Sequence, residues 1–313
     1  MAQPHHLSWG AEALWQALTP VLPGVTVEVV ARIGSTNTTL VERARQAAGG
    51  NRAIDWAETA AAHAGGRRRA DLQPCLLVAE TQTHGRGRQG KTWHAEAGAS
   101  LTFSLSLALA PVDWSGLSLA VGLAVAEALD PLALITPPAT PATPAQRPRI
   151  WLKWPNDLLL EDVGGVRCKL GGILIETAPV GAQRVAVIGI GLNVRPQAIA
   201  EPLPWGHADL QALHPGISAP EVLQRIALPL ARTLRAFERE GFAPLVDAYG
   251  RRDALFGQSV ATTLPQAPDG LADGVDTHGM LWLRRGDTRV PVGSGEVSLR
   301  QATPAGDSGT PAC

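Results

Sequence analysis

The chain has 313 residues, 45% of them apolar, and a formal net charge of -1. That suffices for one large domain plus a small one, and the charge balance gives no global pull toward nucleic acid or an anionic membrane. Cys75, Cys168 and Cys313 show neither paired nor metal-ligand spacing, which, with no signal-peptide pattern, predicts a reducing, cytoplasmic setting.

The N-terminal LSWGAEALWQAL reads as a short amphipathic helix, and VTVEVV (Val25–Val30) as a strand. GSTNTTLVERARQAA is a loop feeding a helix, with Ser35, Thr36 and Asn37 as capping candidates. The Ala-, Gly- and Arg-rich stretch 49–74 is expected to hold a helix between flexible ends. CLLVAET (Cys75–Thr81) is a buried strand, and SLTFSLSLAL (Ser100–Leu109) alternates as a half-buried strand does. The apolar run from Leu117 carries Glu127 and Asp130, so it predicts a buried helix near 115–130 and no membrane span.

Thr136–Pro148 is a low-complexity Pro/Thr stretch, expected to be a solvated insertion. RIWLKWP, RCKLGGILIET and RVAVIGIGLNV predict three strands, close enough together to pair antiparallel. Ser218-Ala-Pro-Glu221 is a capping box opening a helix that Gly241 ends. From about Phe256, short alternating strands joined by Gly/Asp turns suggest a small β-barrel, followed by a disordered tail after Gln301. The domains expected are 1–254, 255–301 and 302–313.

HGRGRQGKTW (His84–Trp93) matches both the dinucleotide-binding and the P-loop patterns. Each needs a helix after the loop to present amides and a positive dipole end to phosphate. Here a second strand follows instead. What remains is a glycine-rich loop carrying Arg86, Arg88 and Lys91, suited to closing over an anion by a different geometry. KWPND (Lys153–Asp157) ends a strand in a rigid turn that projects Asn156 and Asp157. An ordinary Asx turn and a contact to nucleotide or Mg²⁺ both fit it. KLGGILIE places Lys169 before a glycine-bared strand, and GIGLNV repeats the theme before Asn193.

GSTN, GRGRQGKTW, KWPND, KLGGILIE and GIGLNV, in this order, closely resemble the biotin–protein ligase family. The resemblance implies an α/β (α+β) fold with a mixed, mostly antiparallel central sheet and flanking helices, like that of class II synthetases, plus a small C-terminal SH3-like β-barrel. It implies an ATP- and Mg²⁺-dependent enzyme that converts biotin to biotinyl-5′-AMP and passes it to a lysine of a biotin carboxyl carrier protein. Ser35, Thr36, Asn37 and Gln82 match biotin-pocket positions. Gly85, Arg86 and Arg88 match the closing loop, and Arg88 and Lys169 the catalytic positions. Gly172, Gly189 and Leu192 match the slot floor. Lys91, Trp93, Asn156, Asp157, Asn193 and Trp205 match the adenylate side, with Asp157 the Mg²⁺ contact.

Departures are Lys91 where the family often has arginine, and the insert Glu161–Arg167, which a hairpin must absorb. About thirty residues precede the first matched strand, predicting the short form that lacks a DNA-binding domain. Pairing of sheet edges into a homodimer is a family property. The nearest alternative is a lipoate or octanoyl transferase of the same fold using Cys168 as a thiolate.

Overall fold

The structure, a computed structural model, describes residues 7–48, 73–134, 147–197, 206–262, 264–293 and 300–301. Stretches 49–72 and 135–146, expected as a helix and a solvated insertion, lie outside these residues, as does the tail after Gln301. The chain divides into two compact units, Met1–Ala110 with Leu174–Gly191, and Pro111–Ile173 with Leu192–Cys313.

In the first unit, helix α1 (Ala11–Leu18) buries Leu14 and Leu18, one turn apart on one face. Strand β1 (Thr26–Ile33) runs parallel to β2 (Cys75–Gln82), with Thr26 opposite Cys75. Strand β3 (Ser100–Ala108) is antiparallel to β2. Helix α2 (Thr36–Ala48) lays Leu40, Val41 and Ala44 on Cys75 and Leu77, together with Ala178, Val180, Val185 and Val187. Ser35 caps this helix, accepting the Thr38 N–H on its hydroxyl at 3.4 Å.

The alternation of β3 predicted a half-buried strand, but Thr102, Ser104 and Ser106 are buried as fully as its leucines. The hydroxyls of Thr102 and Ser104 are tolerated there because they are bonded. Thr102 donates to the Ala79 carbonyl at 3.0 Å, and Ser104 joins the first residues of α2.

In the second unit, α3 (Leu117–Leu129) is apolar on nearly every side and buried accordingly. It packs on α4 (Ala219–Glu240), whose capping box forms as read, the Glu221 carboxylate accepting from the Ser218 N–H at 2.8 Å. Just after α3, the buried Asp130 takes a guanidinium N–H of the equally buried Arg252 at 3.3 Å. A short helix α5 (Val246–Gly250) follows.

Four strands form where three were expected: β4 (Arg149–Lys153), β5 (Asp157–Glu161), β6 (Arg167–Val180) and β7 (Gln183–Asn193). The unforeseen β5 is the five-residue DLLLE, too short to show a period of its own. Its pairing with β4 and β6 defines it, and the Asp162–Val166 turn absorbs the predicted insert. The larger sheet has the strand order β1-β2-β3-β7-β6-β5-β4, and β6 and β7 supply residues to both units. It is mixed and mostly antiparallel, as expected.

The C-terminal strands β8 (Ser259–Ala261), β9 (Asp269–Val275), β10 (Leu281–Arg285), β11 (Thr288–Val292) and β12 (Arg300–Gln301) form a small antiparallel sheet of order β11-β10-β9-β8-β12. No helix among the described residues is long and apolar enough to cross a membrane.

Candidate active site

The GRGRQGKTW loop is a miniature hairpin. Arg86 bridges Thr92, the Gly87 N–H donates to the Lys91 carbonyl at 2.7 Å, and the Trp93 N–H donates to the Gly85 carbonyl at 2.9 Å. Arg88 opens the turn, in which Gln89 and Gly90 take positive φ of 55° and 75°. Gly85 is required by close approach, since a Cβ there would lie 2.4 Å from the Trp93 carbonyl oxygen. No helix follows before β3, so neither phosphate-binding pattern is realised. Lys91 is exposed. The Trp93 indole lies where a Cβ on Gly191 would stand, 2.4 Å from its ring, and its Nε1 is buried with no partner among the described residues.

At the start of α2 the predicted pocket residues share one hydrogen-bond network. The Thr36 backbone N–H donates to Gln82 Oε1 at 2.7 Å, and its hydroxyl lies 2.8 Å from that of Ser104. The Ser104 hydroxyl donates to Asn37 Oδ1 at 3.1 Å, and Asn37 Nδ2 donates to Glu176 Oε2 at 2.7 Å. Asn37 crosses Gly189, where a Cβ would come within 2.6 Å of its amide oxygen. Gly189 is therefore bare to admit Asn37. Arg86 reaches Glu176 at 3.5 Å.

In the second unit Lys169 Nζ lies 2.8 Å from Asp157 Oδ1, and Lys153 Nζ lies 3.3 Å from Asp157 Oδ2. A register shift between Leu158 and Leu159 lets β5 place Asp157 opposite Gly172 and close to Lys169. Burial works to raise the Asp157 carboxyl, but the charges of Lys169 and Lys153 outweigh it and hold the group below its ordinary range. Lys169, the more exposed of the two ammoniums, is suited to phosphate oxygens.

Asn156 and Asn193 are braces as well as candidate contacts. Asn156 Nδ2 donates to the Ile173 carbonyl at 3.0 Å, and Asn193 Nδ2 donates to the carbonyls of Lys169 at 3.2 Å and Ala208 at 3.0 Å. Leu192 is fully buried. Trp205 lies outside the described residues.

Sequence reasoning did not single out Lys153, Ser104, Glu176 or His207 as site residues. Lys153 was visible in KWPND, and Glu176 ends KLGGILIE, but neither motif says which side chains meet. His207 bridges Lys169. Its Nε2 is buried without a partner among the described residues, and burial lowers its pKa.

The residues do not fit the expected Mg²⁺ contact. Both Asp157 oxygens face ammonium groups, and no cluster of three or more His, Cys, Asp or Glu that could hold a metal occurs among the described residues. Cys168, expected to be a small strand residue, is buried in β6.

The family model for the biotin/lipoate A/B protein ligase family matches residues 67–193. The chain is 36% identical over 279 residues to the biotin–[acetyl-CoA-carboxylase] ligase of Mycobacterium tuberculosis, covering 87% of this chain and 88% of that protein. It is 32% identical to the enzyme of the same name from Paracoccus denitrificans, covering 71% of this chain and 88% of that one. The fold is similar to that of the Aquifex aeolicus biotin protein ligase solved in complex with biotin and ATP, with a TM-score of 0.63 at 23% identity over 88% of this chain and 99% of that one. The order of motifs, the fold they build and a relative aligned over most of both sequences agree: the chain belongs to the biotin–protein ligase family.

Proposed function

We propose that the protein activates biotin with ATP as biotinyl-5′-AMP and transfers the biotinyl group to a lysine of a biotin carboxyl carrier protein, that of acetyl-CoA carboxylase or a related carboxylase. The observation that carries this is Lys169, a partly exposed ammonium held by Asp157 beside Lys153, in a chain of this family. In the first step a biotin carboxylate oxygen attacks the α-phosphorus and pyrophosphate leaves. Lys169 offsets the negative charge that grows on the phosphoryl oxygens. In the second, the carrier amine attacks the anhydride carbonyl and AMP departs. Activation comes from ATP, so no enzyme nucleophile is required.

Biotin's cyclic urea is assigned to Ser35, Thr36, Asn37 and Gln82, beside Gly189. The loop from Gly85 to Trp93 covers the ligand, with Arg86 and Arg88 supplying guanidinium forks. Lys91, Asn156 and Asn193 belong to the adenylate side. Residues 1–254 form the catalytic part, and 255–301 the small β-domain, with SH3-like closure of its sheet. An acyltransferase working through Cys168 has no support from a side chain buried in β6.

Incubation with biotin, ATP and a carrier domain tests the proposal. A mass increase of one biotinyl group on a single carrier lysine is expected. A carrier left unmodified, or modified only from an acyl thioester, contradicts it.

A further inference from the structure

Glu176 ends the polar network of the first unit. A carboxylate only accepts hydrogen bonds. Because Asn37 sits 2.7 Å from Glu176 Oε2, its amide must turn NH₂ toward the carboxylate and its oxygen toward Ser104. That oxygen also only accepts, so Ser104 must give it its single hydrogen, at 3.1 Å. With the hydrogen spent, Ser104 can only accept from Thr36, at 2.8 Å. The Thr36 hydroxyl hydrogen is then held inside the network, leaving lone pairs on its Oγ1. Gln82 is oriented from the other side, because its Oε1 accepts the Thr36 backbone N–H at 2.7 Å, which turns its NH₂ away. The result is an acceptor on Thr36 beside donors on Gln82.

We propose that Glu176 is a positioning residue that fixes the hydrogen-bond polarity of this site, so that Thr36 accepts an N–H and Gln82 donates to a C=O, the two adjacent edges of a cyclic urea. This rests on the biotin-binding role proposed above for the same residues and adds what orients them. Without the carboxylate, the Asn37 amide can turn over. Its NH₂ would then face Ser104, Ser104 would donate to Thr36, and the Thr36 hydrogen would turn to the longer contact with Gln82 Oε1, at 3.2 Å. A Thr36 lone pair that faces a ligand N–H would then be taken up by Ser104, weakening that contact. Asn37, Ser104 and Thr36 are all at most 4% exposed, so water cannot readily make good the mismatch. The Arg86–Glu176 contact is long, at 3.5 Å, with side chains 47% and 25% exposed. Exposed pairs of this kind contribute little, so the effect runs through Asn37.

The test is steady-state kinetics and biotin titration calorimetry on the full chain. Glu176→Ala should raise KM and Kd for biotin about tenfold or more, with KM for ATP unchanged and kcat at saturating biotin within about threefold. Ser104→Ala interrupts the same chain of hydrogens and should show the same biotin-only loss, which serves if Glu176→Ala fails to fold. The exchanged pair Asn37→Asp with Glu176→Lys puts a donor at 176 and restores an acceptor facing Ser104. It should bind biotin more tightly than Glu176→Lys alone, in which the Asn37 oxygen is drawn toward the ammonium. A general packing role would not produce that recovery. If wild type binds biotin and folded Glu176→Ala or Ser104→Ala binds it equally well, or if the exchanged pair recovers nothing, the positioning role is wrong while the ligase assignment stands. If wild type itself does not bind biotin, the ligase assignment falls first, and this inference with it.

Discussion

Lys169 and Asp157 meet at 2.8 Å on paired strands, and Lys153 closes on the other carboxylate oxygen at 3.3 Å. One carboxylate thus holds two ammoniums in place. Preorganised charge of this kind acts on a developing transition-state charge without the cost of reorganising solvent. Lys169→Ala should therefore lower the rate of adenylate formation by about a hundredfold or more, equivalent to about 3 kcal/mol of barrier, while biotin still binds. Single-turnover formation of biotinyl-AMP checks this, and a near-normal rate would remove Lys169 from the chemistry.

Asp157 gives a pH signature. Its carboxyl is held below the ordinary range in the folded protein by Lys169 and Lys153, against the opposing effect of burial. A depressed folded pKa contributes stability that is present above the unfolded value and is lost as pH falls through the folded one. Wild type should lose Tm relative to Asp157→Asn as pH drops below about 4. Parallel Tm curves for the two proteins between pH 3 and pH 7 would contradict the coupling.

Asp253 should behave in the opposite sense. Burial raises its carboxyl from 3.8 to about 6, against the hydrogen bonds from the Leu255 and Phe256 backbone. A raised carboxyl costs stability once the pH exceeds the unfolded value, and the cost grows until the folded pKa is passed. Asp253→Asn should therefore gain stability relative to wild type between about pH 4 and pH 6 and keep that gain above it, at most about 3 kcal/mol. Urea unfolding at pH 4 and pH 7.5 measures the difference. A gain that is equal at both values, or larger in acid, would contradict the burial cause.

The glycines of the motifs should separate into two classes. Gly189→Ala places a methyl 2.6 Å from the Asn37 amide oxygen, and Gly191→Ala places one 2.4 Å from the Trp93 ring. Each should cost about 1–3 kcal/mol of stability, and Gly189→Ala should also weaken biotin binding. Gly172→Ala meets its nearest atom, Asp157 Oδ1, at 3.6 Å, an ordinary contact, and should change stability by no more than about 0.5 kcal/mol. Chemical denaturation of the three variants distinguishes them, and a Gly172→Ala loss equal to that of Gly189→Ala would refute the distinction.

The legible features of the sequence were those set by local pattern. The Ser218 capping box and the apolar helix α3 followed from spacing and composition, and the mixed sheet from the family resemblance. The conflicting phosphate motifs were resolved correctly by the absence of a helix before Ser100. What stayed hidden depends on register and on contacts distant in sequence. β5 is too short to declare itself, and the hydroxyls of β3 read as solvent-facing because nothing local shows that Thr36 and Asn37 cover them. Glu176 lies 139 residues from the amide it orients. Asp157 read as a metal contact because the two lysines that occupy it come together only once β5 pairs with β4 and β6.

The most direct test is ATP–pyrophosphate exchange by the purified protein, with biotin, lipoate or octanoate as the acid. Exchange that requires biotin and is at background with the other two acids is the expected result. Exchange driven by lipoate, or none with biotin under conditions where the protein is folded, would contradict the assignment of this chain as a biotin-activating enzyme.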